Sequence, residues 1–189
     1  MTKATRFDWS QFQLGIFIHA TPDDVFDAWT TGEGLTKWFL RSAEFAVSEG
    51  APVGKGRGRK PLPAFDDLAV RPANDRCEPH DRYRWEWHYN GGVVGEGWIL
   101  DLRPPTRMVF TFGERMEVEL RMRKQGDLCE VNLRQYNIPV TAAGRSSMHL
   151  GCRVAWAFFL SNLKSVAEGG LDLRELEVAR TRHLHLVNI

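Results

Sequence analysis

The sequence GCRVAWAFFLSNLKSVAEGGLDLR, from Gly151 to Arg174, decides the fold. Its apolar side chains recur at spacings of three and four residues, which places them on one face of an α-helix. They are Cys152, Ala155, Phe159, Leu163 and Val166. We expect the polar residues to lie largely away from this stripe: Arg153, Ser161, Asn162, Lys164, Ser165 and Glu168. Gly169 and Gly170 are expected to end the helix in a left-handed backbone conformation.

The middle of the chain alternates between apolar and polar residues, a period that is typical of β-strands. The alternating sets run from Phe12 to Ile18, Tyr83 to Tyr89, Trp98 to Leu102, Met108 to Phe112, Met116 to Met122 and Cys129 to Gln135. A shorter strand is expected from Ala43 to Val47, and Asn90-Gly91-Gly92 is a strong hairpin turn. The pattern predicts about six or seven antiparallel strands before the long helix.

Two short helices are predicted between the first two strands. In Thr21-Pro22-Asp23-Asp24, Thr21 is suited to the N-cap and Pro22 to the first helical position, with both carboxylates near the positive end of the helix dipole. Gly32 and Gly34 interrupt the apolar pattern before a second short helix around Trp38. Such a pair would support the sheet from below.

Composition indicates one domain, because the 189 residues show no internal repeat or break in composition. The formal net charge is +1, from 25 basic and 24 acidic residues, so the overall charge favours neither nucleic acid nor an anionic membrane. No apolar run reaches the length of a signal peptide or a membrane helix, which predicts a cytoplasmic protein without membrane insertion.

The three cysteines do not form a CxxC pair and are expected to be reduced thiols. Cys129 and Cys152 are predicted to be buried, and Cys77 to be exposed.

The segment from Glu49 to Asp81 is rich in glycine, proline and charge and predicts a long loop with at most one weak strand. It contains the basic stretch Lys55 to Lys60, without the strand-to-helix setting of a phosphate-binding loop. We interpret the Lys55 to Lys60 stretch as a mobile, solvated loop to which a protein partner could bind.

A sheet that curls around a helix can leave an apolar hollow, which predicts a site for a small apolar ligand. The candidate lining residues are Phe39, Trp85, Trp87, Trp98, Phe110, Cys152, Trp156 and Phe159. Aromatic faces supply large apolar areas for such a ligand. The alternative is that the same side chains simply fill the core.

Catalytic and metal sites have weaker signals. Glu86, His88 and Glu96 could form a histidine-carboxylate couple, but alternation places Glu86 and His88 opposite Trp85 and Trp87, toward solvent. The other metal-ligand types, Glu78, His80, Asp81, His183 and His185, lack the regular spacing of a metal site. The sequence therefore predicts no catalytic residues, no metal and no cofactor.

Three motifs resemble a known family. They are ATPDDVFDAWT (residues 20–30), WF (38–39) and WAFFLSNLKS (156–165). They are similar to the SRPBCC or START-like helix-grip superfamily of lipid-transfer, pollen-allergen and polyketide-cyclase-like domains. Within it, the chain resembles the family named after the activator of the ninety-kilodalton heat-shock chaperone's ATPase, over roughly residues 10–174.

The resemblance implies an α+β helix-grip fold, with a curved antiparallel sheet around the C-terminal helix in residues 1–174 and a tail from 175 to 189. It implies binding of a hydrophobic or amphipathic ligand, with a cyclase- or hydrolase-like enzyme and a chaperone-associated interaction module as alternatives. Ala155 stands where the family often has glycine, which is expected to narrow the cavity. The Lys55 to Lys60 loop is only loosely similar to the basic motif of the eukaryotic activators, so chaperone activation is not implied.

Overall fold

The computed structural model describes residues 7–48, 63–88, 94–113, 115–177 and 180. Its strands form one antiparallel sheet of eight, in the order β1-β8-β7-β6-β5-β4-β2-β3. They are β1 (Phe12–Ile18), β2 (Ser42–Val47), β3 (Ala69–Val70), β4 (Arg82–Glu86), β5 (Val94–Arg103), β6 (Arg107–Phe112), β7 (Met116–Gln125) and β8 (Leu128–Tyr136). The predicted α+β helix-grip fold is confirmed. The sheet has eight strands where the sequence pattern predicts about six or seven, and the two-residue strand β3 lies in the segment predicted as a long loop with at most one weak strand.

The helices follow the predicted order: α1 (Pro22–Thr30), α2 (Gly32–Trp38) and α3 (Cys152–Ala167). Thr21 caps α1, because its side-chain oxygen accepts a hydrogen bond from the Asp24 N–H at 3.1 Å. Thr31 then ends α1 and begins α2, where its side-chain oxygen accepts from the Gly34 N–H at 2.9 Å. No helix in the described part of the chain is long and apolar enough to cross a membrane.

The long helix begins earlier than the sequence pattern predicts. A π-helical segment, Gly144–Gly151, leads directly into α3. Gly144 permits the start of this segment, because a Cβ there would lie 1.9 Å from the Pro139 carbonyl oxygen. The segment lacks the apolar period of an α-helix, so the sequence pattern did not predict that it is helical. The other end is as predicted, at Gly169 with φ of +77°.

Two side chains of α3 lie on the opposite side from their predicted positions. Ala155 is exposed, so its methyl group does not narrow a cavity, whereas Asn162 is fully buried. The buried face follows Trp156, Phe159 and Leu163. Asn162 is buried because the chain after α3 folds back over it.

The alternation of β5 changes at a bulge. The pairing register with β6 shifts between Ile99 and Asp101, so that Ile99 and Leu102 face the core. Trp98 lies on the outer face, where the Arg82 guanidinium is 5.7 Å from its ring centroid. Its prediction as a cavity residue is therefore wrong.

A polar strap, residues 171–177, runs from α3 back over α2. The Asn162 amide nitrogen donates to the Trp38 carbonyl oxygen at 2.6 Å, and its amide oxygen accepts from the Leu173 N–H at 2.7 Å. The buried Arg174 guanidinium donates to the carbonyl oxygens of Leu40 at 3.0 Å and Thr36 at 2.9 Å. The carbonyl groups of Thr36 and Trp38 are among those that α2 leaves unpaired at its end, and Leu40 follows the helix.

The strap gives a direct stability prediction. Asn162→Ala should lower the free energy of unfolding by about 2–3 kcal/mol, because it leaves buried backbone groups without partners. Ser161→Ala is the matched control, since Ser161 is exposed on the same helix. Urea unfolding monitored by circular dichroism measures both variants. Equal urea midpoints for Asn162→Ala and wild type would contradict the strap.

Cys77 is buried, contrary to the prediction. Its N–H donates to the Thr30 carbonyl oxygen at 2.7 Å, and the Arg76 side chain pairs with Asp27 on α1. The segment around Cys77 therefore packs against α1 and turns its apolar side chain inward. Burial raises the pKa of the Cys77 thiol. The prediction failed because composition suggested a loop, and only the tertiary contact decides where the thiol points.

Thiol labelling tests this placement. In the native protein, N-ethylmaleimide should modify the half-buried Cys152 first and leave Cys77 and Cys129 unmodified, since burial shields them and disfavours the reactive thiolate. Peptide mass mapping after short exposures identifies the modified residue. Labelling in concentrated urea is the control and should reach all three cysteines. Early modification of Cys77 would show that its segment does not pack against α1.

Candidate functional site

An aromatic cluster fills the region between α3 and the sheet. Phe39 follows α2 directly, and its ring centroid lies 4.7 Å from Phe159, 5.3 Å from Trp156 and 5.8 Å from Trp85. Phe110 on β6 lies 5.2 Å from Trp85. These five side chains are buried. The structure thus brings together five of the predicted cavity residues, and their rings contact one another.

The cluster has a half-buried edge. Trp87, which follows β4, lies 6.1 Å from Phe39, and Phe112 at the end of β6 lies 5.4 Å from Trp156. Cys152, the first residue of α3, also packs against the cluster while remaining half-buried. We call Trp87, Phe112 and Cys152 the open edge.

Two sequence features bear on the open edge. Gly95 leaves room for Trp87, since a Cβ there would lie 2.9 Å from its ring. Phe112 was missing from the predicted lining, although its alternation with Phe110 already placed it on the inner face. Tyr89 and the Asn90-Gly91-Gly92 turn lie outside the described residues, and Trp98 does not reach the cluster.

Among the described residues, an amide and a thiol lie near the open edge. Gln135 on β8 is fully buried, and its amide oxygen accepts a hydrogen bond from the Trp156 indole N–H at 2.8 Å. Its amide nitrogen lies 3.1 Å from the Met116 sulfur, which is a weak acceptor. Burial raises the pKa of the Cys152 thiol, which favours its neutral form.

The tryptophans of the cluster differ in their hydrogen bonding. Trp38 donates its indole N–H to the Ala28 carbonyl oxygen at 3.0 Å, and Trp156 donates to Gln135. The buried indole N–H groups of Trp29 and Trp85 have no acceptor among the described residues. A buried donor without an acceptor costs about 1–3 kcal/mol. A third buried atom of this kind, His149 Nε2, lies apart from the cluster, in the π-helical segment.

The acidic and histidine candidates are engaged elsewhere. Glu86 lies 3.4 Å from Arg41, and Glu96 pairs with Arg82 at 2.8 Å. His88 Nε2 lies 3.4 Å from an Arg174 nitrogen, and burial together with the Arg174 charge lowers the pKa of His88. The histidine-carboxylate couple that the sequence analysis weighed and set aside is therefore not assembled.

The metal-ligand types in the described chain do not converge either. Glu78 and Asp81 both pair with Arg71, at 3.0 and 2.5 Å. Across the described ranges, no three His, Cys, Asp or Glu side chains come together as a metal site requires. His183, His185 and the Lys55 to Lys60 loop lie outside those ranges.

A separate surface groove of about 710 Å³ lies between α1, α2 and the end of α3. Trp38 and Val166 are among its apolar lining residues. Its charged rim includes Lys37, which pairs with Glu33 at 2.7 Å. None of the eight predicted cavity residues lines this groove, which adjoins the aromatic cluster through Trp38.

Comparison with solved structures shows similar folds at low sequence identity. A protein from Staphylococcus saprophyticus has 13% identity and a TM-score of 0.62, over 87% of this chain and 96% of that one. The Aha1 dimer from Colwellia psychrerythraea has 19% identity and a TM-score of 0.56, over 85% and 97%. An AHSA1-like protein from Aeromonas hydrophila has 14% identity and a TM-score of 0.54, over 93% and 99%.

Sequence comparison identifies the family. No curated protein has a matching sequence. The family described as "Activator of Hsp90 ATPase homolog 1-like protein" matches residues 19–168. The match begins directly after β1 and includes strands β2 to β8 and all three α-helices. This confirms the resemblance drawn from the three motifs. The chain belongs to the Activator of Hsp90 ATPase homolog 1-like family.

Proposed function

We propose that this protein binds a small hydrophobic or amphipathic molecule between α3 and the sheet. The observation that carries the proposal is the open edge, where Trp87, Phe112 and Cys152 continue the buried aromatic cluster but remain half-buried. A ligand that covers these side chains would remove further apolar surface from water, which is the main driving force for such binding. A fold with a helix laid across a curved sheet supports ligand binding in general terms.

The chemistry at the open edge favours binding over catalysis. The polar groups described there are the Gln135 amide and the Cys152 thiol, whose pKa is raised by burial. General acid-base chemistry needs a group that titrates near the working pH, and these two groups do not provide one. A cyclase- or hydrolase-like activity is therefore the less favoured alternative for the same site.

The same proposal assigns residues 1–174 to the binding domain and 175–189 to a tail. Arg174 supports this boundary, because its side chain is buried against the backbone of α2. Glu175 is less buried, and Leu176 and Glu177 are exposed. The strap therefore makes its last buried contact at Arg174 within the described chain.

Blocking the open edge tests the proposal. Titration with N-phenylnaphthylamine, a fluorescent apolar probe, should give saturable binding to the wild type that survives treatment with EDTA. Cys152→Trp should weaken binding at least about tenfold, because the larger side chain occupies the space a ligand would cover. Ala155→Trp, with the same substitution on the solvent side of α3, should bind like the wild type.

A second control separates this site from the surface groove. Ala167 is exposed and lines the groove, so Ala167→Trp should leave probe binding unchanged. Weaker binding by Ala167→Trp, with normal binding by Cys152→Trp, would move the ligand to the groove. Absence of saturable binding to any variant would show that the side chains fill the core. Circular dichroism of each variant checks that it is folded.

A further inference from the structure

We infer that the ligand carries an uncharged acceptor oxygen, such as a ketone carbonyl, that accepts hydrogen bonds from the indole N–H groups of Trp29 and Trp85. The inference rests on the proposed binding site and adds the chemical class of its ligand. It excludes a pure hydrocarbon and an anionic head group as the part of the ligand that reaches the cluster's interior.

The two tryptophans pack against the same two rings, Phe39 and Phe110. The ring centroid of Trp29 lies 6.3 Å from that of Phe39 and 6.4 Å from that of Phe110. The ring centroid of Trp85 lies 5.8 Å from that of Phe39 and 5.2 Å from that of Phe110. Both side chains are fully buried, and neither N–H has an acceptor among the described residues. Trp38 and Trp156, in the same cluster, donate to protein oxygens. The two indole donors without an acceptor thus both lie beside Phe39 and Phe110.

Packing of an apolar core does not require these indole N–H donors, because phenylalanine would fill much of the same volume without burying a donor. A ligand oxygen beside either indole would satisfy its N–H group in a water-poor setting, where a hydrogen bond is strong. The aromatic neighbours of the two indoles are Trp38, Phe39, Tyr83, Phe110 and Trp156, and all are uncharged. A carboxylate among them would be buried without a counter-charge, which is unfavourable.

Phe39 connects the open edge with the two donors. Its ring contacts Trp87 at the edge as well as Trp29 and Trp85 inside. Phe39 belongs to neither α2 nor β2, and its backbone angles, φ of −122° and ψ of −53°, lie outside the helical geometry of α2. A ligand that passes Trp87 would therefore displace the Phe39 ring to place its oxygen near the indoles.

Three naphthalenes of similar size test the inference: one with an acetyl group, one with an ethyl group and one with a carboxylate. Calorimetric titration of the wild type should show the ketone binding at least about tenfold more tightly than the ethyl compound, a difference of about 1.4 kcal/mol. The carboxylate should bind more weakly than the ketone. In proton-nitrogen NMR spectra, the ketone should shift the Trp29 and Trp85 indole signals downfield relative to the ethyl compound, with no such difference at Trp156.

Substitutions provide an independent arm. Trp29→Phe and Trp85→Phe remove one donor each and should reduce the preference for the ketone while still binding the ethyl compound. Trp98→Phe, on the outer face, is the matched control and should keep the preference. Equal affinity of the wild type for the ketone and the ethyl compound would overturn the inference and leave the proposed function intact. Failure of all three compounds to bind would count against the proposed function itself. The wild-type NMR comparison holds even if a variant does not fold.

Discussion

The ring of Phe39 joins the long helix to the sheet, with Phe159 at 4.7 Å on one side and Trp85 at 5.8 Å on the other. This contact depends on where α2 ends, because Phe39 can turn into the core only if the helix stops at Trp38. Thr31 in turn fixes the start of α2 by capping it. A short capped helix thus determines where the central aromatic side chain lies.

The polar strap acts on the outer side of the same helix. Apolar packing tolerates small displacements of α3, whereas the hydrogen bonds of Asn162 and Arg174 to the α2 region require one arrangement. The position of α3 that they fix also places Cys152 and Trp156 beside Phe112 and Gln135. In this way, a structural contact at one end of α3 fixes the geometry of the candidate site at the other.

Local rules of the chain predict much of this fold. Capping by Thr21, the alternation of β6 to β8 and the left-handed end at Gly169 all depend on neighbouring residues, so the sequence reveals them. The bulge near Ile99, the burial of Cys77 and the burial of Asn162 depend on distant partners that the sequence pattern does not identify. The candidate site shows the same division: alternation placed Trp85 and Phe110 correctly, but the bulge moved Trp98 to the outer face.

The central claim is that an apolar ligand occupies the edge between α3 and the sheet. Intermolecular nuclear Overhauser effects between bound N-phenylnaphthylamine and the protein locate the ligand most directly. The account predicts cross-peaks to ring protons of Trp87, Phe112 and Trp156 and to the β-protons of Cys152. Cross-peaks confined to Lys37, Val166 and Ala167 would place the ligand in the surface groove and contradict the account.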